Sequence, residues 1–441
     1  MTSEQRLQEE VVDSELFRVL KEEYGEGFGS GLLSKVIPIS GDVSLENLGI
    51  VDPEVRENMW REIDIIVNSA ATTKFDERYD VALGINALGV SHVRNFASKC
   101  SKLKMLLQVS TAFVHDTKKG LIAEKPFHMG ETPDGSKISY LDINTEKMII
   151  EEKLSRLQTQ NATEKEITRA MKDLGIERAM LHGWPNTYVF TKAIGEMLLE
   201  NFKKAKVVII RPTIVTSTYN EPFPGWIEGV RTLDSIFVAY GKGKLKFFAG
   251  DPNSTLDMIP GDMVVNCMLA AMALYSNHHD QNLFIYHIGS SRRNPVKYAE
   301  VKSLMQRYLT ENPLLDTRGR PIKAAQLTIL SSTASFHNYI AIHYLPFLKI
   351  LKLINMMFCN PFGNIYANAR RRLSTTMRLT ELYRPYLFSQ GVFDDANTEN
   401  LRRMIKGSNT KVVLNFDPKC IQWDEYFVNT HFYGLTKYVL K

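Results

Sequence analysis

The sequence predicts an α/β fold, a doubly wound parallel sheet followed by a smaller, mainly helical C-terminal domain. Two observations carry the sheet. Short runs rich in Val and Ile recur with turn residues on either side, and longer amphipathic runs separate them. Strand, helix, strand in this rhythm is satisfied by parallel strands covered by helices on both faces. The third observation carries the second domain: beyond Lys323 the alternation stops and only helical spacing remains.

Taken in order, "RLQEEVVDSELFRVLKEEY" reads as a helix, and the glycine cluster "YGEGFGSGLLSK", Gly25 to Gly31, as a loop. "KVIPIS", "IDIIVNSA", "KMLLQVS", "KVVIIRP" and "LFIYHIG" read as buried strands. Between them "YDVALGINALGVSHVRNFASKC" and "TYVFTKAIGEMLLENFKKA" repeat apolar positions at helical spacing. This α/β region is assigned residues 1–322. Residues 323–441 form the helical domain, with "TASFHNYIAIHYLPFLKILKLINMMF", "RRRLSTTMRLTELYRPYLF" and a capped helix near Asp395 or Asn397.

Composition narrows the function. With 44% hydrophobic and 23% charged residues the chain reads as a soluble globular protein. The net charge of +5 comes without a basic face interleaved with aromatics, which argues against a nucleic-acid partner. Cys100, Cys267, Cys359 and Cys420 are scattered without metal-ligand spacing, so no metal and four reduced thiols are expected. The polar, acidic start does not read as a secretory signal. Phe336 to Cys359 approaches the ~20 residues of a membrane span, but His343, Pro346, Lys349, Lys352 and Asn355 interrupt it. Lys349 and Lys352 share one helical face, as in a packed amphipathic helix or one lying on a membrane surface, and a true span is the lesser reading.

Sites in open parallel sheets lie outside the carboxyl ends of the strands, where Asp42, Ala70, Ala71, Ser110, Thr111, Pro212 and Thr213 all fall. Tyr188 and Lys192 stand four apart on a predicted helix and so share a face. An ammonium beside a phenol lowers its pKa from about 10 towards acid–base use. Thr111, or Ser110 beside it, can hydrogen-bond a carbonyl oxygen as charge develops there. Such a Tyr–Lys spacing arises by chance in many helices. The surrounding "VST", "NSAAT" and "IIRPTIV" give it weight as a carbonyl-reducing site. Small residues after "IVNS" would admit a cofactor close to the backbone. Asn86 either braces the cleft or is simply a buried, satisfied polar group. Asp42 is either an adenine contact or a helix cap. A dinucleotide also calls for a glycine turn between a strand and a helix, and no strand precedes Gly25 to Gly31.

"NSAATTKFDERYDVALGINALG", "VSTAFVH", "YVFTKAIGE", "RPTIVTSTYNEPFPGWIEG" and "LYRPYLFSQGVFDDANTENL" together resemble the fatty acyl-CoA reductases of the plant alcohol-forming type. These are extended short-chain dehydrogenase/reductases with a Rossmann-like fold, and the likeness spans essentially the whole chain. It implies NADPH-dependent reduction of a long-chain fatty acyl-CoA, through an aldehyde, to a primary alcohol. It implies Tyr188 as proton donor, Lys192 lowering its pKa and holding the nicotinamide ribose, and Thr111 with Ser110 on the carbonyl. Asp42, Ala70, Ala71, Asn86, Pro212, Thr213, Ile214 and Val215 would complete the cofactor site.

Members of that family begin with a strand and a TGxTGFxG turn. This chain begins at the helix that follows, so the resemblance implies an N-terminally truncated Rossmann-like domain lacking about one βαβ unit, roughly 30 residues. That departure opens a second expectation, a catalytically impaired relative or truncated product that binds acyl chains or a partner without turnover. Another extended reductase or epimerase is a third, against which "VSTAFVH" and the helical tail argue. The insoluble alcohol the family makes implies an intracellular site, with peripheral association at the cytosolic face of the endoplasmic reticulum.

Overall fold

The computed structural model describes residues 2–25, 27–115, 119–135, 141–275, 283–323, 326–406 and 414–440. Four predicted strands pair as one parallel sheet: β1 (Ile65–Asn68), β2 (Met105–Val109), β3 (Lys206–Pro212) and β4 (Leu283–Ile288). They lie side by side in chain order, with Ile65 opposite Met105, Met105 opposite Lys206 and Val207 opposite Leu283. All their carboxyl ends therefore share one edge. β3 is buried at every position, as its unbroken Val/Ile run requires.

Parallel neighbours need crossover connections, and helices supply them. Between β1 and β2, Tyr79–Leu83, Gly84–Leu88 and Gly89–Lys99 run on as one helix with a widened π-type turn at Gly84–Leu88. Between β2 and β3 stand Ile143–Thr159, Glu164–Leu181 and Thr187–Met197. Val90, Phe96, Leu106, Val207 and Ile285 form an apolar core against the sheet. Tyr79, Trp184, Phe190 and Ile194 lead a second core among the crossover helices.

One expected strand is missing. Lys35–Ser40 joins no ladder, and Ile37 is 82% exposed. A Val/Ile run becomes a strand only beside a neighbour, and the edge strand β1 pairs with β2 alone. The chain instead closes a turn, with Asp42 N donating to Leu48 O at 2.7 Å. The glycine cluster differs as well: Gly27–Leu33 is a short helix rather than a loop. Phe28 is buried there against the Phe17 ring, 5.9 Å between centroids, and this offsets part of glycine's entropic cost.

The chain divides into two compact units that interleave, rather than at one cut near residue 322. The first comprises Met1–Trp226, Met258–Arg292 and Gly391–Pro418; the second comprises Ile227–Asp257, Arg293–Gln390 and Lys419–Lys441. Strand pairing explains this. Gly391–Phe393 pairs in parallel with Gly120–Ile122 inside the first unit, and Asn397 Nδ2 donates to Ile285 O at 3.0 Å. In the second unit Phe247–Ala249 pairs with Thr328–Leu330. The expected helices do form there, as Thr333–His343, Leu345–Met357 and Gly363–Leu387, around Phe247, Phe336, Ile340 and Leu373.

Candidate active site

The helix that carries Tyr188 starts at a cap that the sequence provides: the Asn186 side chain accepts from Val189 N at 3.1 Å. From this start Tyr188 and Lys192 project one turn apart towards the carboxyl edge of the sheet. Lys192 Nζ donates to Val109 O, the last carbonyl of β2, at 2.8 Å. The next residues, Ser110 and Thr111, are both buried, and Ser110 N donates to Ile210 O at 2.7 Å. Thr111 Oγ1 donates to Pro212 O at 3.5 Å, accepts from Phe113 N at 3.3 Å, and hydrogen-bonds the Tyr188 phenol. Phe75 stacks on the phenol ring at 5.7 Å. Tyr188, Lys192, Ser110 and Thr111 thus meet at one place.

Their electrostatics depart from expectation in one respect. Burial pushes the Tyr188 phenol up to about 12, and what counters it is the Thr111 hydrogen bond. Lys192 is not among the groups that shift the phenol; its ammonium is turned to Val109 O. Burial also brings Lys192 down to about 8, with Glu196 opposing. Glu196 itself is engaged by Arg211, whose Nε and Nη2 donate to it at 3.0 and 2.5 Å in a fully buried pair. Arg211 Nη1 also reaches His287 Nε2 at 3.3 Å, and burial together with that cation holds the imidazole well below its usual pKa.

Asn86 braces this edge. Its Oδ1 accepts from Thr72 N at 3.0 Å, its Nδ2 donates to Thr72 O at 3.1 Å, and Nδ2 also reaches Thr191 Oγ1 at 3.1 Å. The side chain is consumed by positioning the loop after β1 against the Tyr188 helix. Ala70 is exposed and Ala71 half-exposed in that loop, and Ala70 N donates to Asn68 Oδ1 at 3.3 Å. Pro212 and Thr213 are buried, with Thr213 N on Ile288 O at 2.9 Å. Ile214–Thr216 pairs with Met258–Pro260, which leaves the Val215 side chain exposed. Asp42 Oδ1 accepts from Ser44 N at 2.8 Å and Ser44 Oγ at 2.7 Å in a local turn, and the helix that follows, Glu46–Gly49, has Leu45 rather than Asp42 at its cap.

Sequence reasoning passed over three contributors. Asn68 Nδ2 donates to Gln108 Oε1 at 2.8 Å and ties the ends of β1 and β2 together. Glu196 and Arg211 form the buried pair beneath Lys192. Gly195 lets the Tyr188 helix touch the Gly84–Leu88 turn, since a Cβ there would press into Asn86 O. The "KAIGE" and "IIRP" stretches held these signals, as a glycine inside an apolar helix and charges inside apolar runs.

The nicotinamide end of a dinucleotide fits this donor set. Ser110 Oγ is buried with no partner among the described residues, and Lys192 has further N–H donors beyond the one on Val109 O. The pyrophosphate end is not matched by the glycine cluster, which lies in a helix with no strand before it among the described residues.

The chain matches two profiles of the family described as male sterility protein, the NAD-binding one over residues 1–268 and the sterile one over residues 342–441. It is 50% identical over 441 residues to "Probable fatty acyl-CoA reductase 4" of Arabidopsis thaliana, spanning 99% of this chain and 89% of that protein. It is 47% identical to "Alcohol-forming fatty acyl-CoA reductase" of Simmondsia chinensis, spanning 100% of this chain and 89% of that protein. Among solved structures, the terminal R domain of the myxalamid PKS-NRPS pathway aligns with a TM-score of 0.53 at 16% identity, spanning 93% of this chain and 77% of that domain. That likeness speaks to the Rossmann-like fold alone.

Proposed function

The chain belongs to the fatty acyl-CoA reductase family, with an NAD(P)-binding domain, and from that membership we propose that it reduces a long-chain fatty acyl-CoA through the aldehyde to a primary alcohol, with NADPH as reductant. The observation that carries the reading is the meeting of Tyr188, Thr111 and Lys192 at the carboxyl edge of the sheet. When bound, the nicotinamide supplies hydride to the carbonyl carbon, once of the thioester and once more, from a second NADPH, of the aldehyde. Between the two, the hemithioacetal breaks its C–S bond to release CoA thiol and that aldehyde. Thr111 Oγ1, or Ser110 Oγ beside it, donates to the carbonyl oxygen as it gains charge, and Tyr188 delivers its proton there. Lys192 holds the ribose and keeps a positive charge beneath the site. The backbone at Ala70 and Ala71 and at Thr213 to Val215 flanks the cofactor. Asn86 sets the first of these loops. An acyl-CoA and its alcohol both partition into bilayers, which favours work at an intracellular membrane surface such as the cytosolic face of the endoplasmic reticulum.

The test incubates the full chain with palmitoyl-CoA and either NADPH or NADH, and measures hexadecanal and hexadecanol by mass spectrometry. Hexadecanol formation with NADPH is expected, and Tyr188→Phe should lower it about 100-fold or more. Unchanged output from Tyr188→Phe would remove Tyr188 from its role. A second reading, acyl binding without turnover, draws on the unpaired Lys35–Ser40 segment and the helical glycine cluster. Palmitoyl-CoA binding by calorimetry with no heat from millimolar NADPH would favour it.

A further inference from the structure

The second unit carries an apolar surface that the reaction leaves unused. In the Leu345–Met357 helix, Leu351 points inward, whereas Leu345, Phe347, Ile350, Leu353, Met356 and Met357 are all exposed. At 100° per residue these six spread over about 200° of the outer face, with Lys349 within it, between Met356 and Leu353, and Lys352 at its edge. Thr333–Met357 holds an 18-residue window long and apolar enough, by length and composition, to cross a membrane, with a mean hydropathy of 1.3, yet only 11% of that window is buried. It is not one rod. The helix breaks at Tyr344, before Pro346, and Phe336 and Ile340 of the first half are buried in the unit's own core. A segment whose first half is fixed inside a domain cannot span a bilayer, but its outer face can lie in one.

Charge says what that face meets. From Thr333 to Thr380 the sequence holds six Lys or Arg and not one Asp or Glu. Lys349 lies within the apolar face and Lys352 at its edge, and Arg370, Arg371 and Arg372 are carried by the Gly363–Leu387 helix that packs beside it. An exposed aliphatic and methionine face within an acid-free, basic stretch matches an anionic phospholipid surface, with aliphatic stems buried and ammonium groups at the phosphates.

We propose that the outer face of Leu345–Met357 seats the protein monotopically on anionic phospholipid membranes. This deepens the reading of an acyl-CoA reductase by naming the surface it works on, and its test needs neither cofactor nor substrate, so either can fail alone. The full chain is floated with vesicles of phosphatidylcholine, or of phosphatidylcholine mixed with phosphatidylserine, at low and raised salt. The wild type should float with the anionic vesicles and far less with the neutral ones. Ile350→Asp with Leu353→Asp should weaken binding about 100-fold or more. Lys349→Gln with Lys352→Gln should weaken it about 30-fold at low salt, with the gap closing as salt rises. All four positions are exposed, so melting curves should be unchanged. Flotation that ignores lipid charge, or is equal for all three proteins, overturns the proposal. So does a dimer in size-exclusion chromatography that the aspartates dissolve without altering vesicle binding, because a second copy then owns the face.

Discussion

Gly195→Ala sets two effects of opposite sign against each other. By helix propensity alone the change should stabilise by about 1 kcal/mol. The structure argues the reverse. A Cβ on Gly195 would press into Asn86 O and lie 3.1 Å from Val90 Cγ2. The carbonyl belongs to the Gly84–Leu88 turn and cannot swing aside as a side chain would. Helix and turn must therefore part by something on the order of 1 Å to restore ordinary contact. Overpacking of this kind costs about 1–3 kcal/mol, and two backbones in contact place it at the upper end, near ~3 kcal/mol. Subtracting the propensity gain leaves a net loss of about 2 kcal/mol, or a melting point lower by about 2–3 °C for a unit of this size. The displaced helix carries Lys192 and Tyr188, and a 1 Å misplacement costs about 100-fold in turnover. Thermal unfolding by circular dichroism and NADPH-dependent alcohol formation read the two consequences separately. A variant that melts higher than wild type with unchanged turnover would refute the close approach.

Three further expectations follow from the buried charges. Lys192, lowered to about 8, is charged below that pH and neutral above it, so kcat/KM should fall along an alkaline limb near pH 8 that Lys192→Met removes. Because its folded pKa lies below the unfolded one, the unfolded chain binds more protons from about pH 8 to 10.5, and this group's contribution to stability should rise with pH across that window. Arg211→Met leaves Glu196 buried and unpaired and should cost about 3–5 kcal/mol by denaturant unfolding, whereas Arg211→Met with Glu196→Leu should recover most of it.

What could be read from sequence was whatever is encoded locally. β1 to β4 announced themselves as Val/Ile runs, and the Tyr188–Lys192 spacing placed both on one face. Lys35–Ser40 has the same composition as those strands and failed, because being a strand depends on a neighbour and not on the run itself. The interleaved units escaped for a similar reason: nothing near Gly391–Phe393 says that its partner is Gly120–Ile122. The Asn68–Gln108 bond joins residues on separate strands. Spacing shows that Tyr188 and Lys192 share a helical face, but not that burial raises the phenol or that the ammonium turns to Val109 O.

That desolvation bears on the direction of the proposed chemistry. A parallel sheet leaves carbonyls free at the carboxyl ends of its strands, and the site is assembled from groups that satisfy them. Val109 O takes Lys192 Nζ, Pro212 O takes Thr111 Oγ1, and Ile288 O takes Thr213 N. With Val109 O beside it and its pKa no lower than about 8, the ammonium stays charged at neutral pH. With its pKa up at about 12, the phenol keeps its proton there. A phenolate would be poised to take a proton from an alcohol, as oxidation requires. A protonated phenol above a cation is poised to give one to an oxygen that has just gained negative charge. At neutral pH the resting phenol thus holds the proton that the proposed reduction delivers, and burial rather than the Tyr–Lys spacing keeps it there.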